Sequence, residues 1–267
     1  MPANGKNLLR RGIPENLSFD RRLGRGIDAV IGVDEVGRGA LAGPVVAGAV
    51  LLTGPHLRGK RVYSLGSMAG DSKQLSPVRR RKVMELWENK FPQLPRSLGV
   101  ATVSEVENYN VLGATRLAME RAIREILKEL DPVKEWTVVN ETPSNGKNTG
   151  ELLVDLRPKS QKTWRLLIDG RPLRPFPWPH DGVVQGDAKS LAIGLASVFA
   201  KVTRDQMMVD LDEECPGYSF ASHKGYGSAV HRAILQERGP SRFHRQSFLR
   251  KILPVEEPAS PEQLAFF

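Results

Sequence analysis

The chain has 267 residues, 40% of them apolar and 26% charged, and a net charge of +9. That is material for the core of one large domain, and no run approaches the roughly 18–20 apolar residues that a membrane-spanning helix needs. A single cysteine, Cys215, excludes an internal disulfide and a paired-thiolate zinc site. It fits a reducing cytoplasm, and the positive charge favours a polyanionic partner, chiefly nucleic acid.

In chain order, residues 1–27 are rich in Gly, Arg and Asn and read as a mobile or surface-draped extension without the apolar segment of a secretory signal. Strand-like runs follow at Ala29–Val33 and Val45–Leu52, then a Gly/Pro loop, Thr53–Gly70. In "DSKQLSPVRRRKVMELWENKF", Ser76 is placed as an N-cap and Pro77 as the first helical residue. "GVATVS" (99–104) reads as a short strand, and Leu117, Ile123, Ile126, Leu127 and Leu130 recur at helical spacing from Ala114 to Leu130. "WTVV" (136–139) fits a strand, and the polar, turn-rich residues 140–163 fit an insertion. "WRLLIDG" (164–170) is a third apolar run ending in an acid and a glycine. A helix is expected from Ala188 to Leu211, capped by Asp187. A glycine-rich loop, "PGYSFASHKGYGS", and a short helix near 228–237 follow, and "PVEEPASPEQLAFF" ends the chain as a flexible tail. Strands interleaved with helices, with one hairpin-length connection early, imply an α/β domain with a mixed sheet.

Four acids stand at element ends: Asp34 and Glu35, Asp169, and Asp187. Gathered carboxylates repel, and burial opposes their ionisation. A hard cation such as Mg²⁺ or Mn²⁺ relieves both. Two such ions flanking a phosphodiester stabilise the attacking and the leaving oxygen. Each acid also has a plainer reading. Asp187 alone is a helix cap, Asp169 before Gly170 a turn residue, and Asp34–Glu35 a solvated strand end. Adjacent strand residues point to opposite faces, so Asp34 and Glu35 share a site only if the strand ends or bulges there. Gly37-Arg38-Gly39 reads as a turn of unusual backbone conformation. It also reads as a place where a nucleic-acid backbone approaches closely, with Arg38 and peptide N–H groups facing phosphate. It lacks the third glycine of a dinucleotide fingerprint, and no Walker A or HExxH motif is present.

Five segments in order, "GVDEVGRGALAGPVVAGAVLL", "DSKQLS", "LLIDG", "GDAKSLAIGLASVFAKVTRD" and "PGYSFASHKGYGS", resemble the ribonuclease HII family, the prokaryotic type 2 ribonucleases H. The resemblance covers Val30 to Phe248. It implies a ribonuclease H-like fold, a mixed central sheet flanked by helices with a C-terminal helical part. The corresponding division is an extension (1–27), a catalytic domain (28–210, with 140–163 inserted), a helical part (211–252) and a tail (253–267). It implies an endoribonuclease that cleaves the RNA strand of RNA/DNA hybrids. It also implies nicking of duplex DNA 5′ to a single embedded ribonucleotide, by two-metal-ion hydrolysis with Mn²⁺ or Mg²⁺, leaving 3′-hydroxyl and 5′-phosphate ends. Asp34, Glu35, Asp169 and Asp187 become the metal-binding acids, and Gly37, Arg38 and Gly39 lie against the 2′-hydroxyl and phosphate at the RNA–DNA junction. Tyr226 packs on the following deoxyribose, where composition alone reads a loop tyrosine with a buried ring. Lys73, Lys189 and Ser190 resemble backbone or phosphate contacts. The family usually has proline at the position of Ala40.

The basic stretches "RRRK" (79–82) and "RFHRQSFLRK" (242–251) suit a duplex groove or a solvated face. The last residues, Gln263, Leu264, Phe266 and Phe267 in "QLAFF", resemble peptides that dock on replication sliding clamps. The plainer reading folds the phenylalanines back on the core. The competing functional readings are a DNA nuclease of the same fold and a catalytically silent hybrid-binding protein. No membrane partner is implied, and a cytoplasmic monomer is the expectation.

Overall fold

The two apolar runs at the start of the domain form β1 (Ala29–Val36) and β2 (Val45–Thr53), which pair antiparallel from Ala29↔Thr53 to Val36↔Val46. The computed structural model describes residues 12–69, 75–129, 136–138, 162–250 and 252–253. Ahead of β1 lies α1 (Glu15–Leu23). After β2 come α2 (Gly54–Arg58), α3 (Tyr63–Met68), α4 (Pro77–Lys90), β3 (Arg96–Ala101) and α5 (Val103–Leu127). Then follow β4 (Trp136–Val138), β5 (Lys162–Asp169), β6 (Asp181–Val183), α6 (Gly186–Lys189) and α7 (Leu191–Glu214). The last elements are α8 (Phe220–His223), α9 (Ala229–Arg238) and α10 (Gln246–Leu249).

The sheet runs β3-β2-β1-β5-β4, with β6 also paired to β5. It is antiparallel on the β2 side and parallel around β5, the mixed sheet expected. β1 is covered on both faces, which is why it reads as a continuous apolar run. Val30, Val50, Leu52 and Leu167 pack with Leu191, Ile193, Leu195 and Val198 of α7. Ala29, Ile31, Val33 and Ile168 pack with Ala118, Met119, Ile123 and Ile126 of α5. Gly32 sets the closeness of the first layer, since a Cβ there would lie 2.3 Å from the Ala192 carbonyl carbon. The start of α7 is thereby pressed onto the strand that carries Asp34.

Several expectations change. Residues 15–23 form a helix with Leu17 and Asp20 fully buried, not a surface drape. Asp20 Oδ2 accepts from the Ala192 N–H at 2.9 Å, and burial pushes its carboxyl up to about 7. The helix expected from Ala114 begins at Val103, because Thr102 and Glu105 form a capping box. Asn110 (φ 56°) breaks it, and its Oδ1 accepts from the Leu112 and Gly113 N–H groups to restart it. The helix expected from Ala188 is two. Ser190, not Asp187, caps α7, accepting from the Ile193 N–H at 3.2 Å. α7 also crosses the boundary read at 210–211. Ser76 caps α4 with Pro77 in the first turn, as expected. Residues 139–161 of the inserted stretch lie outside the described residues. No helix among the described residues is long and apolar enough to cross a membrane.

Candidate active site

β1 and β5 pair in parallel from Ala29↔Trp164 to Val33↔Ile168. Carried one residue further, that register sets Asp34 beside Asp169. Both share the parity of Val30 and Leu167, which face α7. Asp187 comes to the same side on α6, where the N–H of its neighbour Gly186 donates to Asp169 Oδ1 at 2.7 Å. Asp34 and Asp187 are both buried. Strand register and one short helix therefore bring three of the four predicted acids to one end of the sheet.

Glu35 differs. Of the two ways the sequence allowed the acids to share a site, a strand end or a bulge, there is no bulge: the β1–β2 ladder continues through Asp34↔Gly48, Glu35↔Ala47 and Val36↔Val46, and the strand ends one residue past Glu35. Alternation turns Glu35 away from Asp34, and its Oε1 accepts from Arg38 Nη1 at 2.9 Å. It still lines the same cleft as Asp34 at the strand end.

Among the described residues, no group of three or more His, Cys, Asp or Glu side chains is gathered closely enough to hold a metal ion. Carboxylate oxygens are the donors that a hard cation takes. Mg²⁺-like ions keep several waters and are held by one or two carboxylates plus substrate phosphate oxygens. A phosphodiester anion approaching Asp34, Asp169 and Asp187 is repelled unless positive charge stands between them. The residues present thus fit Mg²⁺ or Mn²⁺.

The cleft in front of Asp34 and Glu35 is lined by Val36, Gly37, Arg38, Gly39, Arg80, Ser197, Lys201 and Tyr226. The two glycines of the turn differ physically. Gly37 has φ 92°, and a Cβ there would lie 2.2 Å from Arg204 Nε and 2.8 Å from the Pro44 carbonyl oxygen. Its smallness serves the protein's own packing. Gly39 is exposed, and a Cβ there would meet nothing within 4 Å. Its open side faces outward, as close approach of a ligand requires. Tyr226 is half-buried beside this turn through the Ala40↔Tyr226 bridge. Lys201 Nζ lies 5.6 Å and Arg204 Cζ 5.4 Å from its ring centroid.

The secondary predictions divide. Lys189 is exposed, with Nζ bonded to the Val184 carbonyl at 2.8 Å. Ser190 is fully buried and caps α7. Lys73 and the tail residues Gln263, Leu264, Phe266 and Phe267 lie outside the described residues. Of "RRRK", Arg80 reaches the cleft. In "RFHRQSFLRK", Arg245 is fully buried and Arg242 pairs with Glu214, so that stretch is not a uniform basic face. Ser197 and Lys201 were missed by sequence reasoning. Their signal was present, because Ser197, Lys201 and Arg204 recur at i, i+4 and i+7, starting in the apolar first half of α7. A histidine cluster was also missed. His231 Nε2 lies 3.0 Å from His244 Nε2, His223 stacks on His231 at 4.0 Å, and His231 Nδ1 contacts the Tyr226 carbonyl. Burial pushes all three imidazoles down, His244 to about 4.

The ribonuclease HII family model matches residues 31–158 and 181–251. The chain belongs to the ribonuclease HII family. Asp34 and Asp187 lie in the matched segments, and Asp169 lies between them. The chain is 38% identical to the ribonuclease HII of Syntrophotalea carbinolica over 238 residues, 87% of this chain and 91% of that one. It is 39% identical to that of Fusobacterium nucleatum over 85% and 89% of the two chains. Solved structures share the fold at low identity. The PCNA:RNase HII complex from Archaeoglobus fulgidus aligns with TM-score 0.56 and 17% identity, over 87% of this chain and 99% of that chain. A Bst ribonuclease HIII in complex with Mn²⁺ aligns with TM-score 0.52 and 16% identity, over 89% and 69%. As a ribonuclease HII, the protein is an endoribonuclease, a hydrolase with ribonuclease H activity on RNA/DNA hybrids.

Proposed function

We propose that this ribonuclease HII also nicks duplex DNA on the 5′ side of a single embedded ribonucleotide, leaving 3′-hydroxyl and 5′-phosphate ends. The observation that carries the reading is one cleft in which Asp34 and Glu35 face the Gly37–Gly39 turn and Tyr226. Acids for phosphodiester chemistry and a surface for reading one sugar junction stand side by side. Asp34, Asp169 and Asp187 would hold divalent cations, Mn²⁺ or Mg²⁺, with Glu35 contributing from the rim. Bound there, such ions neutralise the charge developing on the attacking and leaving oxygens.

The protein's own groups do the positioning. Arg80 and Lys201 neutralise strand phosphates along the cleft. Peptide N–H groups of the turn and Arg38 hold the phosphate and the 2′-hydroxyl at the junction. That hydroxyl distinguishes RNA from DNA. The surface pair of Arg38 with Glu35 is weak enough to yield to a phosphate. The Tyr226 ring packs on the deoxyribose that follows, backed by Lys201 and Arg204.

The test is cleavage of a DNA duplex containing one ribonucleotide, with Mn²⁺, with Mg²⁺ and with EDTA, beside an all-DNA duplex. Metal-dependent nicking 5′ to the ribonucleotide is expected. Equal cutting of the all-DNA duplex would instead mark a general nuclease, and binding without cutting a silent hybrid binder. For the tail, we propose that Gln263, Leu264, Phe266 and Phe267 tether the enzyme to a replication sliding clamp. The Archaeoglobus fulgidus relative in complex with PCNA supports this reading. Deleting residues 263–267 is expected to abolish capture on an immobilised clamp without changing cleavage of free duplex. Unchanged capture would refute it.

A further inference from the structure

The loop between β1 and β2 carries the Gly37–Gly39 turn, and its carbonyl groups meet two arginines from distant parts of the chain. Arg204, on α7, donates from Nε to the Pro44 oxygen (2.9 Å), from Nη2 to Ala42 (3.1 Å) and from Nη1 to Lys224 (2.9 Å). Arg245, ahead of α10, donates from Nε and Nη2 to the Gly43 oxygen (3.0 and 2.7 Å) and from Nη1 to Arg38 (3.0 Å). Both side chains are 0% exposed. All six of these bonds end on main-chain carbonyls, and among the described residues neither guanidinium forms a salt bridge.

Two buried positive charges are a costly way to hold a loop. Burial pushes both guanidiniums down, Arg245 to about 10, and the charge of Arg204 adds to the effect on Arg245. Apolar packing of equal volume holds a loop at lower cost. What it does not do is set the direction of single peptide planes. A guanidinium does, because its donors form a rigid planar fork.

We infer that Arg204 and Arg245 are positioning residues for substrate recognition: Arg245 holds the Arg38 carbonyl inward and so turns the Gly39 N–H towards the cleft, while their other bonds fix the rest of the loop and seat Tyr226 against it. The inference rests on the reading that the turn and Tyr226 meet the substrate. In a trans peptide the C=O and the following N–H point in opposite directions. With the Arg38 oxygen drawn inward by Arg245, the Gly39 N–H points outward, at the residue whose outer side is open. Arg204 ties the second half to the first. It holds the Lys224 carbonyl, underlies the Tyr226 ring and fills the space that a side chain at position 37 would need. The Leu41 N–H donates to the Gly225 oxygen at 2.8 Å and joins the two strips directly.

Arg204→Lys and Arg245→Lys keep the charge and lose the fork. Each is assayed on a single-ribonucleotide duplex and on a uniform RNA/DNA hybrid, at a temperature where circular dichroism shows the variant folded. Mn²⁺ affinity is measured by calorimetry. The expected result is a fall of about 10²-fold in kcat/KM on the single-ribonucleotide duplex, mostly in KM, since small misplacements of positioning groups cost that much. A smaller fall is expected on the hybrid, which offers many equivalent registers, and Mn²⁺ affinity is unchanged. Wild-type activity per folded molecule on both substrates would overturn the inference, and so would equal losses on both with weakened Mn²⁺ binding. Amide exchange across residues 37–43 needs no substrate and is expected to accelerate in either variant; unchanged exchange would also overturn it. If one variant does not fold, the other decides, since each arginine holds different carbonyls of one loop. Failure of the wild type to nick the single-ribonucleotide duplex would sink the functional reading instead, and exchange would still judge the brace.

Discussion

The acidic end of the sheet and the strip beside it, the Gly37–Gly39 turn with Tyr226, are built differently. Asp34 and Asp169 are set by the register of two adjacent central strands, and Asp187 by a short helix hydrogen-bonded to Asp169. The Gly37–Gly39 turn and Tyr226 are set by contacts spanning up to about two hundred residues of chain, through Arg204, Arg245 and the histidine cluster. The first region depends on the pairing that makes the fold. The second depends on buried polar groups, each of which is expensive to leave unsatisfied. The two regions can therefore fail separately, and the comparison can be broken at either side.

The largest effect is expected at the acids. Asp34→Asn should lower single-turnover cleavage by roughly 10³-fold or more, the loss of several kcal/mol of charge stabilisation. The melting temperature should hold or rise, because one member of a repelling carboxylate group is neutralised. A large fall in melting temperature instead would show that the acidic end is as dependent on its polar groups as the strip.

The two glycines of the turn sharpen the contrast. Gly37→Ala places a Cβ against Arg204 and at a positive φ, so a loss of about 2–3 kcal/mol is expected in urea unfolding. Gly39→Ala, with open space around it, should leave stability within about 0.5 kcal/mol and weaken ribonucleotide-duplex binding. Equal destabilisation by both would erase the distinction between a packing glycine and a contact glycine.

Acid should reach the strip before the sheet. His223, His231 and His244 have folded pKa values below the unfolded value near 6.5, with His244 at about 4. Protonation therefore favours the unfolded form. Their stabilisation is present above pH 6.5 and is lost as pH falls towards 4, by roughly 2–3 kcal/mol for His244. Hydrogen exchange over that window should show residues 218–245 opening before β1 and β5. Simultaneous opening would show one cooperative unit. The smallest effects are expected at the basic residues lining the cleft. Arg80→Ala and Lys201→Ala should each weaken duplex binding modestly and lower the magnitude of the log K against log salt slope by about 1.

Much of this was legible in the sequence. The apolar runs ending at Asp34 and Asp169 announced central strands with acids at their tips, and Ser76-Pro77 announced a helix start. The placement of Asp187 as a cap misled, because Ser190 three residues on competes for the same role and wins. Glu35 was expected beside Asp34 only if the strand ended or bulged there; the ladder runs unbroken to Val36, and the following glycines serve the turn after the strand. The residues 1–27 read as an extension because one amphipathic turn near Leu17 is a weak periodic signal; its burial against α3 and α7 is a tertiary fact. Arg245 was invisible within a basic stretch, since nothing local distinguishes an arginine that turns inward from one that faces solvent.

By itself, then, the sequence determined the central strands and the family, because those are written in local periodicity and in short motifs of fixed order. Only the tertiary structure decided which acids share a face, why Gly37 and Gly39 differ, and that two buried arginines hold the turn to Tyr226. Strand register and long-range hydrogen bonds join residues whose separation along the chain carries no signal of their contact.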